Sequence, residues 1–148
     1  MANHTIFNER PECQDRLIKV LEKLGYKYVS RSEAEEKRGK LSNVIFEDEL
    51  VKFLNMQTYK YKNNNYRFSG ESISKAVRAI DVSLVQGLAM ASKEIYNLLT
   101  LGISVEEKII LDKDAPCIQS FDLHYIDFDR PENNIWQVTE EFSVERTN

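Results

Sequence analysis

The sequence predicts an α+β fold, and three observations carry the prediction. The first two thirds of the chain show mostly helical spacing of apolar residues. One short aromatic run, Tyr26-Lys-Tyr-Val29, interrupts them. After Gly102 the periodicity changes to alternation, and short polar turns separate the alternating runs, as antiparallel strands require. A single domain over the 148 residues is expected. Its helical middle falls at about 43–100 and its C-terminal strands at about 103–145.

Pro11 suits the first turn of a helix, and Leu17, Val20, Leu21 and Leu24 follow at helical spacing. Gly25 is the expected stop, giving a first helix at about 11–24. Residues 26–29 are β-prone. Ser32 and Glu35 have the spacing of a capping box for a short charged helix that Gly39 ends. Phe46, Leu50, Phe53 and Leu54 mark an amphipathic helix that reaches toward Tyr59. Three consecutive asparagines and Ser69-Gly70 make residues 59–70 a loop or turn. Ile73, Val77 and Ile80 share one face of the next helix, which Ser69 or Ser72 can cap. A further helix starts near Ser83 or Gly87 and ends before Gly102. Residues 103–105 and 108–111 look like short strand pieces, and 112–116 like a turn. Alternation over 121–128 and 135–144, with Asp129-Arg-Pro-Glu-Asn-Asn134 between, predicts a closing antiparallel hairpin.

Composition bounds the function. A formal net charge of −4 argues against autonomous, non-specific binding to a polyanion, although a local basic patch is compatible with it. Cys13 and Cys117 are far apart, with no CxxC and no clustered histidine, so neither zinc nor a disulfide framework is indicated. They read as free thiols in the cytoplasm. No run approaches the ~20 apolar residues of a membrane span, and the N-terminus does not resemble a signal peptide. With five glycines and no Gly-Lys-Ser/Thr, no Walker loop for ATP is present.

One segment is locally basic: residues 52–78 hold six Lys/Arg and one acid, with Tyr59, Tyr61, Tyr66 and Phe68 interleaved among Lys60, Lys62 and Arg67. Cations with aromatic rings suit nucleic-acid contact, while rings that anchor a solvated loop to the core give the same pattern. The acids of 127–145 read chiefly as a polar turn and a solvent face. His124 has no Ser or Cys partner at a suggestive spacing.

Ile95-Tyr-Asn-Leu-Leu-Thr-Leu-Gly-Ile-Ser-Val105 and Tyr125-Ile-Asp-Phe-Asp-Arg-Pro-Glu-Asn-Asn134 are fairly specific in combination. With Leu-Gly-Tyr after the first helix and Phe46-Glu-Asp-Glu-Leu-Val-Lys-Phe-Leu-Asn55, the chain resembles the N-terminal region of the R (restriction) subunit of type I restriction–modification enzymes. The resemblance implies a PD-(D/E)xK, restriction-endonuclease-like fold with a helical insertion. It also implies a parent that cleaves unmodified foreign DNA with Mg²⁺ and ATP, beside modification and specificity subunits that use S-adenosylmethionine. In that class an Asp on one strand and a Glu-x-Lys on the next hold the metal and stabilise charge on the phosphodiester. They follow the closing hairpin, and neither motif occurs there in this sequence. The chain is therefore expected to stop before its catalytic acids and to be inactive alone, with no metal or cofactor of its own. Its last strand would then lack a neighbour. Glu106-Glu-Lys108 matches Glu-x-Lys formally but precedes the hairpin, and Asp127 and Asp129 fall in its turn. Glu12 alone corresponds to an early acid that some of these nucleases aim at the metal, although the helix N-terminus accounts for an acid there as well. The alternative is a complete, non-catalytic interaction domain that contacts DNA or a partner subunit through residues 52–78.

Overall fold

A computed structural model describes residues 13–40, 42–82, 85, 87–110 and 116–140. The chain divides into two compact units: Met1–Ile45 together with Ile135–Asn148, and Phe46–Asn134. The second unit is thus inserted, in sequence, between the two segments of the first.

In the first unit, α1 (Asp15–Lys23) ends as Gly25 predicts. Gly25 has φ +95°, its N–H donates to Glu22 O, and Tyr26 N–H donates to Leu21 O, both at 3.0 Å. This is the paired stop of a Schellman turn. The turn delivers the chain into β1 (Lys27–Tyr28), which pairs in parallel with β6 (Gln137–Val138). Lys27 N donates to Trp136 O and Val29 N to Val138 O, each at 2.9 Å. Tyr26 and Trp136 meet with ring centroids 6.0 Å apart. The helix α2 (Arg31–Arg38) is capped two residues earlier than the spacing suggested. Ser30 Oγ accepts from Glu33 N at 3.3 Å, and Ser32 lies inside the helix. Gly39 ends it with φ +70°. Val29 and Ala34 are buried, and Arg38 is only 4% exposed, with its Nη1 donating to Asn43 O.

The second unit opens with α3 (Glu47–Met56). The expected extension toward Tyr59 fails because β2 (Thr58–Tyr61) begins directly after Gln57. The predicted loop at 59–70 is in fact a hairpin: β2 pairs antiparallel with β3 (Asn64–Arg67) around the two-residue turn Lys62-Asn63. Both turn residues have positive φ, 43° and 66°, the geometry whose twist matches paired strands. Asparagine tolerates that region and lysine does so less readily. The turn therefore lacked the usual Asn-Gly signature.

The helix α4 (Gly70–Ile80) is capped by Ser69, whose Oγ accepts from Ser72 N at 3.2 Å. The helix α5 (Leu88–Leu101) is followed by Gly102 at φ +78°. A Cβ there would lie 2.6 Å from Leu123 O, so only glycine fits. The two strand pieces expected at 103–111 merge into one strand, β4 (Ile103–Ile109), paired antiparallel with β5 (Cys117–Leu123). Ser104, Glu106 and Lys108 point outward, and Val105, Glu107 and Ile109 are buried.

Among the described residues the closing hairpin expected at 121–144 does not form. Residues 127–134 make a self-bonded loop with a 3₁₀ turn at Pro131–Asn133, and β6 pairs with β1 instead. The asparagine-rich segment satisfies its own polar groups, so it need not bring the flanking runs together. Phe142 and Val144 lie outside the described residues, as does the turn expected at 112–116 except for Pro116. Among the described residues β6 has one strand neighbour.

The core of this unit gathers Leu54, Tyr59, Phe68, Ile73, Ala76, Val105, Ile109, Leu123 and Tyr125. Tyr125 Oη donates to Ala76 O at 2.7 Å, and burial pushes its hydroxyl up to about 12. Glu107, 4% exposed, accepts from Ser69 N at 2.9 Å and from Ser69 Oγ at 3.1 Å. A carboxylate thus sits at the N-terminus of α4, where unpaired N–H groups and the helix dipole favour negative charge.

Replacing Glu107 by Ala leaves these donors without their acceptor in a buried setting, and is expected to cost about 1–3 kcal/mol in urea unfolding. Glu107→Gln keeps an acceptor oxygen and should retain a midpoint clearly above that of the Ala variant. Equal midpoints would contradict the acceptor role. Truncating Leu123, fully buried, to Ala should cost about 2–5 kcal/mol by the same measurement.

Candidate functional site

The Lys60, Lys62 and Arg67 side chains predicted from sequence all fall on the β2–β3 hairpin, and the pairing sorts them. Tyr59 lies opposite Tyr66 and Tyr61 opposite Asn64, whereas Lys60 lies opposite Asn65 and Thr58 opposite Arg67. Opposed residues share a face. One face therefore carries the tyrosines and continues into Phe68. Tyr59 packs on Phe121 at 4.1 Å between centroids, on Phe68 at 5.1 Å and on Tyr66 at 5.8 Å. Burial, reinforced by Glu107 and then Tyr66, holds the Tyr59 hydroxyl above its ordinary value. The other face carries exposed Lys60, Asn65 and Arg67. Lys62, at the tip, lies 5.6 Å from the centre of the Tyr61 ring. Anchoring by the aromatics and display of the cations are thus both present, on opposite faces of one ribbon.

Thr58, where the hairpin begins, also lines a cleft of about 670 Å³. Phe53, Met56, Ile126 and Phe128 supply apolar wall, and Asp122, His124, Asp127, Asp129 and Arg130 supply charge and polarity. Gln57 builds one side: its Nε2 donates to His124 O at 2.5 Å, and its Oε1 accepts from His124 N at 3.1 Å. Nothing in the sequence spacing announces this pair, 67 residues apart. Met56 and Thr100 bring the C-terminal turns of α3 and α5 to the cleft, and neither turn contains a basic residue. The cleft is consequently an acidic environment.

Asp127 is tied into its own loop. Its Oδ2 accepts from Asn133 Nδ2 at 2.8 Å, its Oδ1 accepts from Arg130 N at 2.9 Å, and Arg130 Nη2 lies 3.4 Å away. Asn134 closes the loop from the other end, accepting from Asp127 N at 2.9 Å and donating to Asp127 O at 2.8 Å. The Asn133 amide, then Arg130, holds the Asp127 carboxyl below its ordinary value. The asparagines, read in sequence as turn formers, are in fact the clamps.

Within Glu106-Glu-Lys108, Glu106 and Lys108 face solvent and Glu107 binds Ser69. Glu12 lies outside the described residues. Among the described residues no group of three or more His, Cys, Asp or Glu side chains is placed to hold a metal ion. Cys13 is exposed and Cys117 partly buried, and both are free thiols, the latter with Sγ 3.5 Å from Tyr61 Oη. Among the described residues no helix is long and apolar enough to cross a membrane.

A family model described as type I restriction enzyme R protein N terminus matches residues 6–148. No curated protein and no solved structure matches the chain significantly.

The Asp127 loop carries a pH signature. A carboxyl whose folded pKa is depressed stabilises the loop fully above its ordinary value of 3.8, and this is lost as pH falls through the lower folded value. NMR shifts of the Asn133 side-chain amide and the Arg130 backbone amide should therefore titrate with a midpoint below 3.8, and Asp127→Asn should abolish that titration. A midpoint above 3.8 would contradict the clamp.

Proposed function

Because the chain belongs to the type I restriction enzyme R protein N-terminus family, we propose that it forms the first part of a DNA-cleaving subunit whose parent cuts unmodified foreign DNA with ATP and Mg²⁺. The observation that carries this reading is the family match over residues 6–148, essentially the whole chain. On this reading the mixed helix-and-strand arrangement is part of a restriction-endonuclease-like domain with a helical insertion. The parent works in the cytoplasm beside modification and specificity subunits, which use S-adenosylmethionine. ATP serves a motor elsewhere in the parent.

The described residues do not fit a Mg²⁺ centre. Both Asp127 oxygens already accept donors, and the Glu107 carboxylate is taken up by Ser69 inside the core. Mg²⁺ requires several oxygen ligands in near-octahedral array, and the described acids do not converge in that way. No cutting step is assigned to them. On this reading the part played by the described residues is structural: they position strands and a hairpin around acids that lie outside them.

Supercoiled plasmid incubated with this chain and Mg²⁺ should remain supercoiled. Nicked circles appearing in proportion to protein would overturn the assignment of cutting to residues elsewhere. For the parent subunit with its partner subunits, withholding either ATP or Mg²⁺ should leave an unmodified plasmid intact. Efficient cutting without ATP would contradict coupling to a motor.

A further inference from the structure

We propose that the outer face of the β2–β3 hairpin is a phosphate-contacting ribbon for double-stranded DNA, with Lys60 and Arg67 as its paired contacts and Lys62 at its tip. The proposal rests on the reading above that the parent acts on DNA, and it assigns part of that contact to particular side chains.

Residues 58–67 contain three cations and no acid, in a chain of net charge −4. Any attraction for a polyanion must therefore be local and oriented, and the hairpin supplies both conditions. Lys60 and Arg67 are diagonal neighbours on one face, roughly 7–8 Å apart at the backbone. Among the described residues neither has a carboxylate within ion-pair distance. Their shared face also carries Asn65, and Asn63 is exposed at the tip, so amide donors accompany the charges.

The opposite face fixes the ribbon. Tyr59 is buried against Phe68 and Phe121, so the cations project from an ordered platform and little further ordering is needed on binding. Beside Thr58 the cleft carries Asp122, Asp127 and Asp129 together with Arg130, so the phosphate contact is confined to the outer face of the ribbon, from Arg67 opposite Thr58 to Lys62 at the tip. Because phosphates are the target, the contact positions a duplex without reading its sequence.

The test is fluorescence anisotropy of short labelled duplexes of unrelated sequence, titrated with the 148-residue chain across about 50–200 mM salt. The wild type should bind all duplexes alike. Lys60→Ala with Arg67→Ala should weaken binding equally on every sequence and flatten the log K against log salt slope by roughly 2. Lys60→Arg with Arg67→Lys should restore the slope, and Lys93→Ala on α5 should leave it unchanged. Urea midpoints unchanged from wild type, as expected for substitutions at exposed positions, exclude misfolding as the cause. An unaltered slope in the double Ala variant, an equal loss in Lys93→Ala, or no binding by the wild type at the lowest salt would overturn the ribbon. None of these outcomes touches the family assignment. Nicking by the chain alone would instead strike at the proposed division of labour and leave the ribbon standing.

Discussion

The hydrogen-bonded contact between Glu107 and Ser69 is the constraint on which the larger unit turns. It joins β4 to the start of α4, and Phe68, the residue before Ser69, enters the core directly after β3 ends. One carboxylate therefore fixes the place of the sheet, the start of a helix and the exit of the hairpin. Its position is unusual on a strand whose other inward residues are Val105 and Ile109. A buried acid is tolerated only where donors replace water, and the N-terminus of α4 provides them. With that anchor in place, Tyr59 can stack on Phe121 and Tyr125 can reach Ala76.

The hairpin shows how this packing bears on function. Strand alternation is indifferent to purpose; it assigns successive side chains to opposite faces. Here it buries Tyr59 and leaves Lys60 outside, and across the ribbon it buries Phe68 and leaves Arg67 outside. The interleaving of basic and aromatic residues that marks the sequence is thus the one-dimensional image of a two-faced ribbon.

Legibility followed the range of the interaction. Helix stops at Gly25, Gly39 and Gly102 were readable because each depends on a single residue in the left-handed region. The cap of α4 was narrowed in the sequence to Ser69 or Ser72, and Ser69 fills it. The β2–β3 hairpin was not, since its turn uses Lys62-Asn63, and three asparagines in a row suggested irregular chain. The parallel pairing of Lys27 with Gln137 and Tyr28 with Val138 was illegible, because local alternation says nothing about which distant strand will be chosen. For the site, the cationic residues were visible in the sequence, whereas the Gln57–His124 contact and the Asn133 and Asn134 clamps on Asp127 depended on folding.

The pairing of Tyr26 with Trp136 has a practical consequence. The chain has one tryptophan, and it belongs to the discontinuous unit that holds both strands of the parallel pair. Indole emission consequently monitors that unit alone, while near-ultraviolet circular dichroism adds the stacked tyrosines and phenylalanines of the inserted unit to the contribution of Tyr26 and Trp136. Superimposable denaturation curves from the two optical signals would identify one cooperative folding block, and separated curves two. The same tube of protein reports whether an interruption of 89 residues, Phe46–Asn134, is thermodynamically independent of the segments that flank it.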